Sequence, residues 1–439
     1  MDLIKGDIRA LYRKYLISSL TGAVVLSVYS FVDTIAVGQS EGAAGAASMA
    51  VINPLFGIIV FFAVLCAVGG SVLFSNRKGQ GKEDEANGYF TAAVLLMAGI
   101  TVVLWAVFLL LSRPIMTLFG ADSSIFDKMM EYAGLIILGI PLFIAPIFLA
   151  SFLRNDGAPQ LAMAAVIAGG CVNMLGDWLL VFPLGMGMRG AALATVAGTT
   201  VQLLVMLRHF AGGKCSLHFV RPQRFAQAAA EIIKVGFGAG VLDLGTVVLS
   251  VIMNNQILRY GNTDCLAVYG VAATIMALLQ ALFSGVGHAI QPIVSVNFGA
   301  NRPERVEKTW RMALATELIM GVLFTAIGLL FPRQITALFV DATADILQAA
   351  PGIIRPFFLV YLFMGITVLA TYHLQSTMQS GKSMLVALLR SVVVSGFLLL
   401  ILPLFLGLLG VWLAMPLAEL LVAIPALFFV RSQKSSAAN

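Results

Sequence analysis

Apolar runs long enough to cross a lipid bilayer recur along nearly the whole chain, with short polar connections between them. A helix needs about 20 apolar residues to span the hydrocarbon core, and within lipid its backbone must satisfy its own hydrogen bonds. The runs predict about twelve such helices, near 16–37, 48–75, 90–111, 130–152, 161–183, 190–208, 232–258, 266–296, 312–331, 348–375, 384–404 and 409–430. The first follows Lys5, Arg9, Arg13 and Lys14, which resembles the flank of a secretory leader. It is too long for a leader, contains Asp33 and lacks a clear small-residue cleavage site, so it is expected to be a mature span.

Composition agrees with this pattern. Of 439 residues, 60% are AVILMFWYC and 11% are charged, against roughly a quarter charged in soluble domains. A water-bathed surface is excluded for most of the chain, and so is disorder. The excess of 27 Lys+Arg over 21 Asp+Glu points on so apolar a chain to loops facing an anionic leaflet, not to nucleic acid. Its distribution sets the topology. The N-terminus, the loops at 76–89, 153–160, 208–234, 297–311 and 376–383, and the C-terminus together carry 20 Lys and Arg. The opposite connections carry Arg113, Lys128, Arg189, Arg259, Arg333 and Arg355, while Arg390 lies within a span. Both termini are therefore expected on the cytoplasmic side. Cys66, Cys171, Cys215 and Cys265 lie far apart and suggest neither a disulfide framework nor a zinc site.

The chain also repeats itself. A shift of 220 residues places Ser75 and Gly79 on Ser295 and Gly299, and the 113–119 segment on 333–339 with Arg, Ile, Leu and Phe shared. The same shift places Pro183, Gly190 and Ala194 on Pro403, Gly410 and Ala414. Six spans per repeat is an even number, so the halves run the same way through the membrane, with a substrate path expected between them. The predicted fold is thus an all-α polytopic membrane protein of two parallel six-helix repeats around a central cleft. Its lobes are expected at 1–207 and 231–439, joined by a basic cytoplasmic linker at 208–230.

Ionisable groups at bilayer depth are costly and tend to line cavities or ion paths. Asp33, Asp177, Asp243, Glu317 and Glu419 are the acidic candidates. For Glu317 and Glu419, helix packing through a neighbouring hydroxyl is as good an account as function. Tyr29 and Asp33 are four apart on the first helix, as are Asn173 and Asp177 on the fifth, so each pair shares a helix face. With Thr195 on the sixth helix they offer hard oxygen ligands suited to Na⁺; two neighbouring carboxyls suit a shared proton equally. Interhelical hydrogen bonding is the structural alternative. The repeat argues against that alternative, because Asp33, Asn173, Asp177 and Thr195 fall on Met253, Val393, Phe397 and Met415. Packing needs should recur in both halves, whereas an ion site can occupy one. Asp243, whose counterpart is Ala23, puts a separate negative charge in the second half.

These positions resemble the multidrug and toxic compound extrusion (MATE) transporters over essentially the whole chain, and most of all the bacterial branch with MepA-type and DinF-type exporters. The matching pieces are Val32-Asp-Thr-Ile35, Arg154-Asn-Asp-Gly157, Asn173-x-x-x-Asp177, Gly190-Ala-Ala-Leu-Ala-Thr195, Asn254-Asn255 before Arg259-Tyr-Gly261, and Ser295-Val-Asn-Phe-Gly299. The resemblance implies the MATE/MOP-type fold in a bacterial inner membrane, and export of organic, often cationic and aromatic compounds against inward H⁺ or Na⁺. It implies an ion site at Asp33, Asn173, Asp177 and Thr195 with Tyr29 nearby, and places Asp243 where many members have Glu. It implies a transporter working as a monomer among lipids, with no cofactor beyond the coupling ion and no nucleic acid partner. Two departures stand out. Ile17-Ser-Ser-Leu-Thr21 replaces a stretch where many members have a proline, and the tenth span has His373 and Gln375 where some have an acid. A second-half ion site resting on a carboxylate pair is accordingly not expected.

Other motifs carry less. Gly185-Met-Gly-Met-Arg-Gly190 spells a dinucleotide fingerprint but sits in a short hairpin between spans. No phosphate-binding loop of an ATP-driven pump appears, and no nucleophile–His–acid set argues for an enzyme. The rival reading is a flippase for a lipid-linked substrate, which would line its cleft with several Arg or Lys to meet pyrophosphate; few basic residues lie inside these spans.

Overall fold

The computed structural model describes residues 3–119, 121, 126–213, 215–339 and 344–437, apart from a few helical side chains, and all regular structure among them is helical. The chain forms two compact units. The first comprises Met1–Gly236 with Ser295–Ala300, and the second Phe237–Val294 with Asn301–Asn439. In the first unit lie α1 (Ile8–Gly79), α2 (Glu83–Leu110), α3 (Ser112–Leu118), α4 (Phe126–Leu138), α5 (Ile140–Asn155), α6 (Pro159–Gly176) and α7 (Gly187–Ala211). A π-helical turn, Asp177–Val181, extends α6. Then follow α8 (Phe225–Tyr260), α9 (Thr263–Gly299), α10 (Pro303–Leu330), α11 (Pro332–Phe339), α12 (Ala344–Phe358), α13 (Tyr361–Ser376) and α14 (Ser380–Leu388). A second π turn, Leu389–Val393, precedes α15 (Val394–Leu406) and α16 (Leu408–Ala437).

Among the described residues, nine helices are long and apolar enough to cross a membrane, and α4 with α5 forms a tenth candidate bent by 52°. The remaining two expected spans, 16–37 and 232–258, fall inside α1 and α8, which are helical there. The sequence leaves a connection of ten residues between its first two spans. In the structure the helix continues through most of it and breaks at Gly42, whose φ of 59° and ψ of −145° lie outside the helical region. Gly139 marks the bend between α4 and α5. Large apolar side chains such as Val102, Leu330 and Phe405 stay exposed, as lipid contact requires. The inward faces form separate apolar cores, around Ile52, Ile136 and Tyr132 in the first unit and around Phe283, Tyr361 and Trp412 in the second.

The 220-residue repeat has a backbone counterpart. A Cβ built on Gly79 would come within 2.1 Å of the Val296 carbonyl oxygen, and one on Gly299 within 2.1 Å of the Asn76 carbonyl oxygen. The pairs 76/296 and 79/299 therefore meet reciprocally, and only glycine permits that approach. Gly190 and Gly410 likewise each abut a backbone carbonyl of the preceding hairpin arm, Leu180 and Leu402.

Between α7 and α8 the described residues of 212–224 are not helical, but part of this segment is firmly attached to the first unit. The Asp156 carboxylate, 1% exposed in the turn between α5 and α6, accepts from Lys78 Nζ (2.7 Å), His209 Nε2 (2.7 Å), the Ser216 backbone N–H (3.0 Å) and the Ser216 hydroxyl. Burial works to raise this carboxyl, but the His209 hydrogen bond and the Lys78 charge outweigh it and hold it at about 2. Further along, the His218 and Val220 backbone N–H groups donate to Asn87 Oδ1 and Thr91 Oγ1 on α2 (2.9 and 3.0 Å).

Candidate functional site

The candidate ion site lies wholly in the first unit, where α6 and α7 pack through small residues. A Cβ on Gly169 would stand 2.7 Å from the Gly198 carbonyl oxygen, and one on Gly198 2.7 Å from that of Gly169 and 2.9 Å from Asn173 Cβ. Gly169, Asn173 and Gly176 share a face of α6 by their four- and three-residue spacing. The close approach sets Asn173 beside Thr195 of α7: Asn173 Nδ2 donates to Thr195 Oγ1 at 3.1 Å. The Thr195 hydroxyl donates to the Ala191 carbonyl (3.0 Å) and, at a longer 3.4 Å, to Asp33 Oδ1 on α1. Tyr29, one turn before Asp33, lies against Gly170 of α6, where a Cβ would meet its ring at 3.3 Å.

Two features were not legible in the sequence. Tyr132 of α4, fully buried, donates its hydroxyl to Asp33 Oδ2 at 2.9 Å. It is one apolar-face residue among many on its helix, and no spacing marks it. The second feature is the π turn that starts at Asp177. Such single-turn widenings occur frequently at functional sites, and this one leaves the Asp177 side chain 0% exposed. Neither Asp177 oxygen has a hydrogen-bond partner, nor has Asn173 Oδ1. Asp33 and Asp177 are near enough to interact electrostatically. Five sequence-predicted residues thus come together on three helices, with three buried oxygen acceptors that no protein donor reaches. The sixth, Asp243, is carried by α8, and its side chain lies outside the described residues.

The family model described as MatE matches residues 19–179 and 239–401, two segments that begin 220 residues apart. This chain belongs to the MATE family. The multidrug export protein MepA of Staphylococcus saprophyticus is 24% identical to it over 419 residues, covering 94% of this chain and 91% of that protein. MepA of Staphylococcus aureus strain MSSA476 is 23% identical over 417 residues, with the same coverage. Two solved structures have the same fold. One is a multidrug resistance MATE family transporter of the MOP superfamily in an outward-facing conformation, with TM-score 0.93, 21% identity, and coverage of 100% of this chain and 98% of that one. The other is a MOP superfamily transporter from Pyrococcus furiosus, described as having reversed binding-pocket polarity, with TM-score 0.92, 20% identity and the same coverage.

Elsewhere in this MATE chain the remaining polar candidates find distinct surroundings. Glu419 of α16 pairs with Arg390 and accepts from the Thr367 hydroxyl, each at 2.5 Å, the hydroxyl partner the sequence reading allowed for. Glu317 is buried on α10 without a hydrogen-bond partner for either oxygen. His373 packs its ring on Trp310, and His288 meets the Tyr372 hydroxyl. The glycines of the 185–190 motif serve a turn: Gly185 and Gly187 have φ of 61° and 51°, which suits glycine. The Asp156, His209 and Cys215 side chains lie close enough to hold a metal, but the Asp156 oxygens already accept from Lys78, His209 and Ser216, so the group acts as a fastening for the segment after α7.

Proposed function

We propose that this MATE transporter is a secondary active antiporter that exports organic, typically cationic and aromatic compounds in exchange for a monovalent cation, H⁺ or Na⁺. The observation that carries this reading is the set of buried acceptor oxygens around Asp33. Carboxylate and amide oxygens without donors are costly inside a protein, and a bound proton or Na⁺ supplies the missing positive partner. Asp33, Asn173, Asp177 and Thr195 are the proposed ligands, with Tyr29 bordering them and Asp243 a second acidic position toward the substrate. Export of drugs by the MepA relatives supports the substrate class. The distribution of Lys and Arg supports a bacterial cytoplasmic membrane with both termini inside. The transporter is proposed to act as a monomer surrounded by lipid.

Coupling needs only two states with different affinities for ion and substrate. In one state the oxygen cluster holds the ion; in the other it releases it, and α1, α6 and α7 repack around the uncompensated carboxyls. The test is transport of ethidium by proteoliposomes under an imposed H⁺ or Na⁺ gradient, each applied alone. Wild type is expected to respond to one gradient, which names the ion, and Asp33→Asn to respond to neither while still inserting. Wild-type transport by Asp33→Asn vesicles would sink the proposal.

A further inference from the structure

A second polar cluster lies in the second unit, on helices that contribute nothing to the Asp33 site. Glu317 is 1% exposed, and neither of its carboxyl oxygens has a hydrogen-bond partner. It packs against the bare backbone of Gly365, close to the Phe283 ring. A Cβ built on Gly365 of α13 would stand 2.8 Å from Glu317 Oε2 and 3.2 Å from Cδ1 of Phe283. The cation whose field reaches Glu317 is Arg390, in the π turn before α15. Arg390 is already engaged, with its Nε on Glu419 Oε1 at 2.5 Å and both side chains at most 6% exposed. Thr367 holds the other Glu419 oxygen. Two carboxyls therefore share one guanidinium, and one of them, Glu419, has every partner.

An ionised carboxylate without donors in a protein interior is strongly disfavoured. With Arg390 committed to Glu419, a proton on Glu317 removes that cost at once. Among the described residues, Arg390 is the charged group that acts on Glu317. On α13 the titratable groups are Tyr361, Tyr372 and His373; Tyr372 meets His288 of α9, and His373 meets the Trp310 ring edge-to-face. The Tyr361 hydroxyl has no hydrogen-bond partner. On α12, Arg355 donates to the Leu329 carbonyl, and on α11 the basic residue is Arg333. The fold does not require the cluster either. At the 220-residue shift Glu317, Arg390 and Glu419 fall on Met97, Gly170 and Thr199, so the other half builds the same helices without it.

We propose that Glu317 is a proton-binding site of this transporter, separate from the Asp33 ion site, with Arg390 as its charge partner in the deprotonated state. When water reaches the carboxyl, its O–H bond breaks, the electron pair stays on oxygen and the proton leaves as hydronium. Arg390 then turns part of its guanidinium from Glu419 to the new carboxylate, while Thr367 retains Glu419. The second half thereby carries a titrating carboxyl of its own, whichever ion the Asp33 site holds.

Infrared difference spectra of the purified full chain, recorded between acidic and alkaline buffer, test this directly. Wild type is expected to show a buried carboxylic-acid C=O band that shifts in D₂O. One component should vanish in Glu317→Gln and persist in Asp33→Asn and Asp177→Asn, which separates this site from the first. In Arg390→Lys the same component should titrate at a different pH. A Glu317→Gln spectrum identical to wild type would overturn the proposal. Because Gln reproduces the neutral acid, the variant should melt like wild type in acid and above it in alkali, and parallel melting at every pH would overturn it equally.

Discussion

Tyr132 limits how freely Asp33 exchanges partners, since its hydroxyl occupies one of the two carboxyl oxygens. A hydrogen bond to a charged group contributes roughly 1.5–3 kcal/mol. Tyr132→Phe, which keeps the ring and its packing, should therefore move the ion concentration for half-maximal transport by roughly tenfold or more. An unchanged midpoint in proteoliposomes would detach Tyr132 from the site. The contrast between Tyr132 and Asn173 explains which residues a sequence can reveal. Asn173 and Asp177 declare themselves by type and spacing, being polar where lipid or core should be and on one helix face. Tyr132 is an amphipathic side chain on a stretch read simply as a span, and its role exists only where α4 meets α1.

At the scale of elements, α6 and α7 hold the site by backbone proximity, through the reciprocal approach of Gly169 and Gly198. A side chain at Gly198 would press on both the Gly169 carbonyl and Asn173 Cβ. Overpacking of this kind costs typically 1–3 kcal/mol, and here it would also push Asn173 away from Thr195. Gly198→Val is expected to lower the melting temperature and to weaken ion-driven transport further than the stability loss accounts for. Gly213→Val, at an open position, is the control and should leave both unchanged. If the two variants behaved alike, α6–α7 proximity would not be what sets the site. Span positions were legible because hydropathy is a property of long segments. The break at Gly42, the bend at Gly139 and the π turn at Asp177 were not, because each depends on one residue's backbone angles or on one displaced hydrogen bond.

For the whole molecule, the connection after α7 is part of the first unit's architecture and not a free tether, through the Asp156 carboxylate and the α2 side chains that receive His218 and Val220. Asp156 is held at about 2, below its ordinary 3.8. A depressed carboxyl contributes stability that is complete above its unfolded value and disappears as the pH falls through its folded one. The contribution is about 2 kcal/mol, present at neutral pH and lost between about 4 and 2. Melting of wild type and Asp156→Asn should differ near neutrality and converge in that acid window; a gap that persisted into strong acid would contradict the assignment. The sequence reading of 208–230 as a linker caught its charge and polarity. It missed the anchoring because the partners come from two stretches far from it in the chain, Lys78 with Asn87 and Thr91, and Asp156. The 220-residue repeat has a longer consequence. Gly79 with Gly299 and Gly190 with Gly410 preserve close backbone contacts in both copies, while Asp33, Asn173, Asp177 and Thr195 on one side, and Glu317, Arg390 and Glu419 on the other, have no counterparts. After a gene doubles, the glycines fix where helices touch, and each copy is free to acquire its own chemistry on an inherited frame.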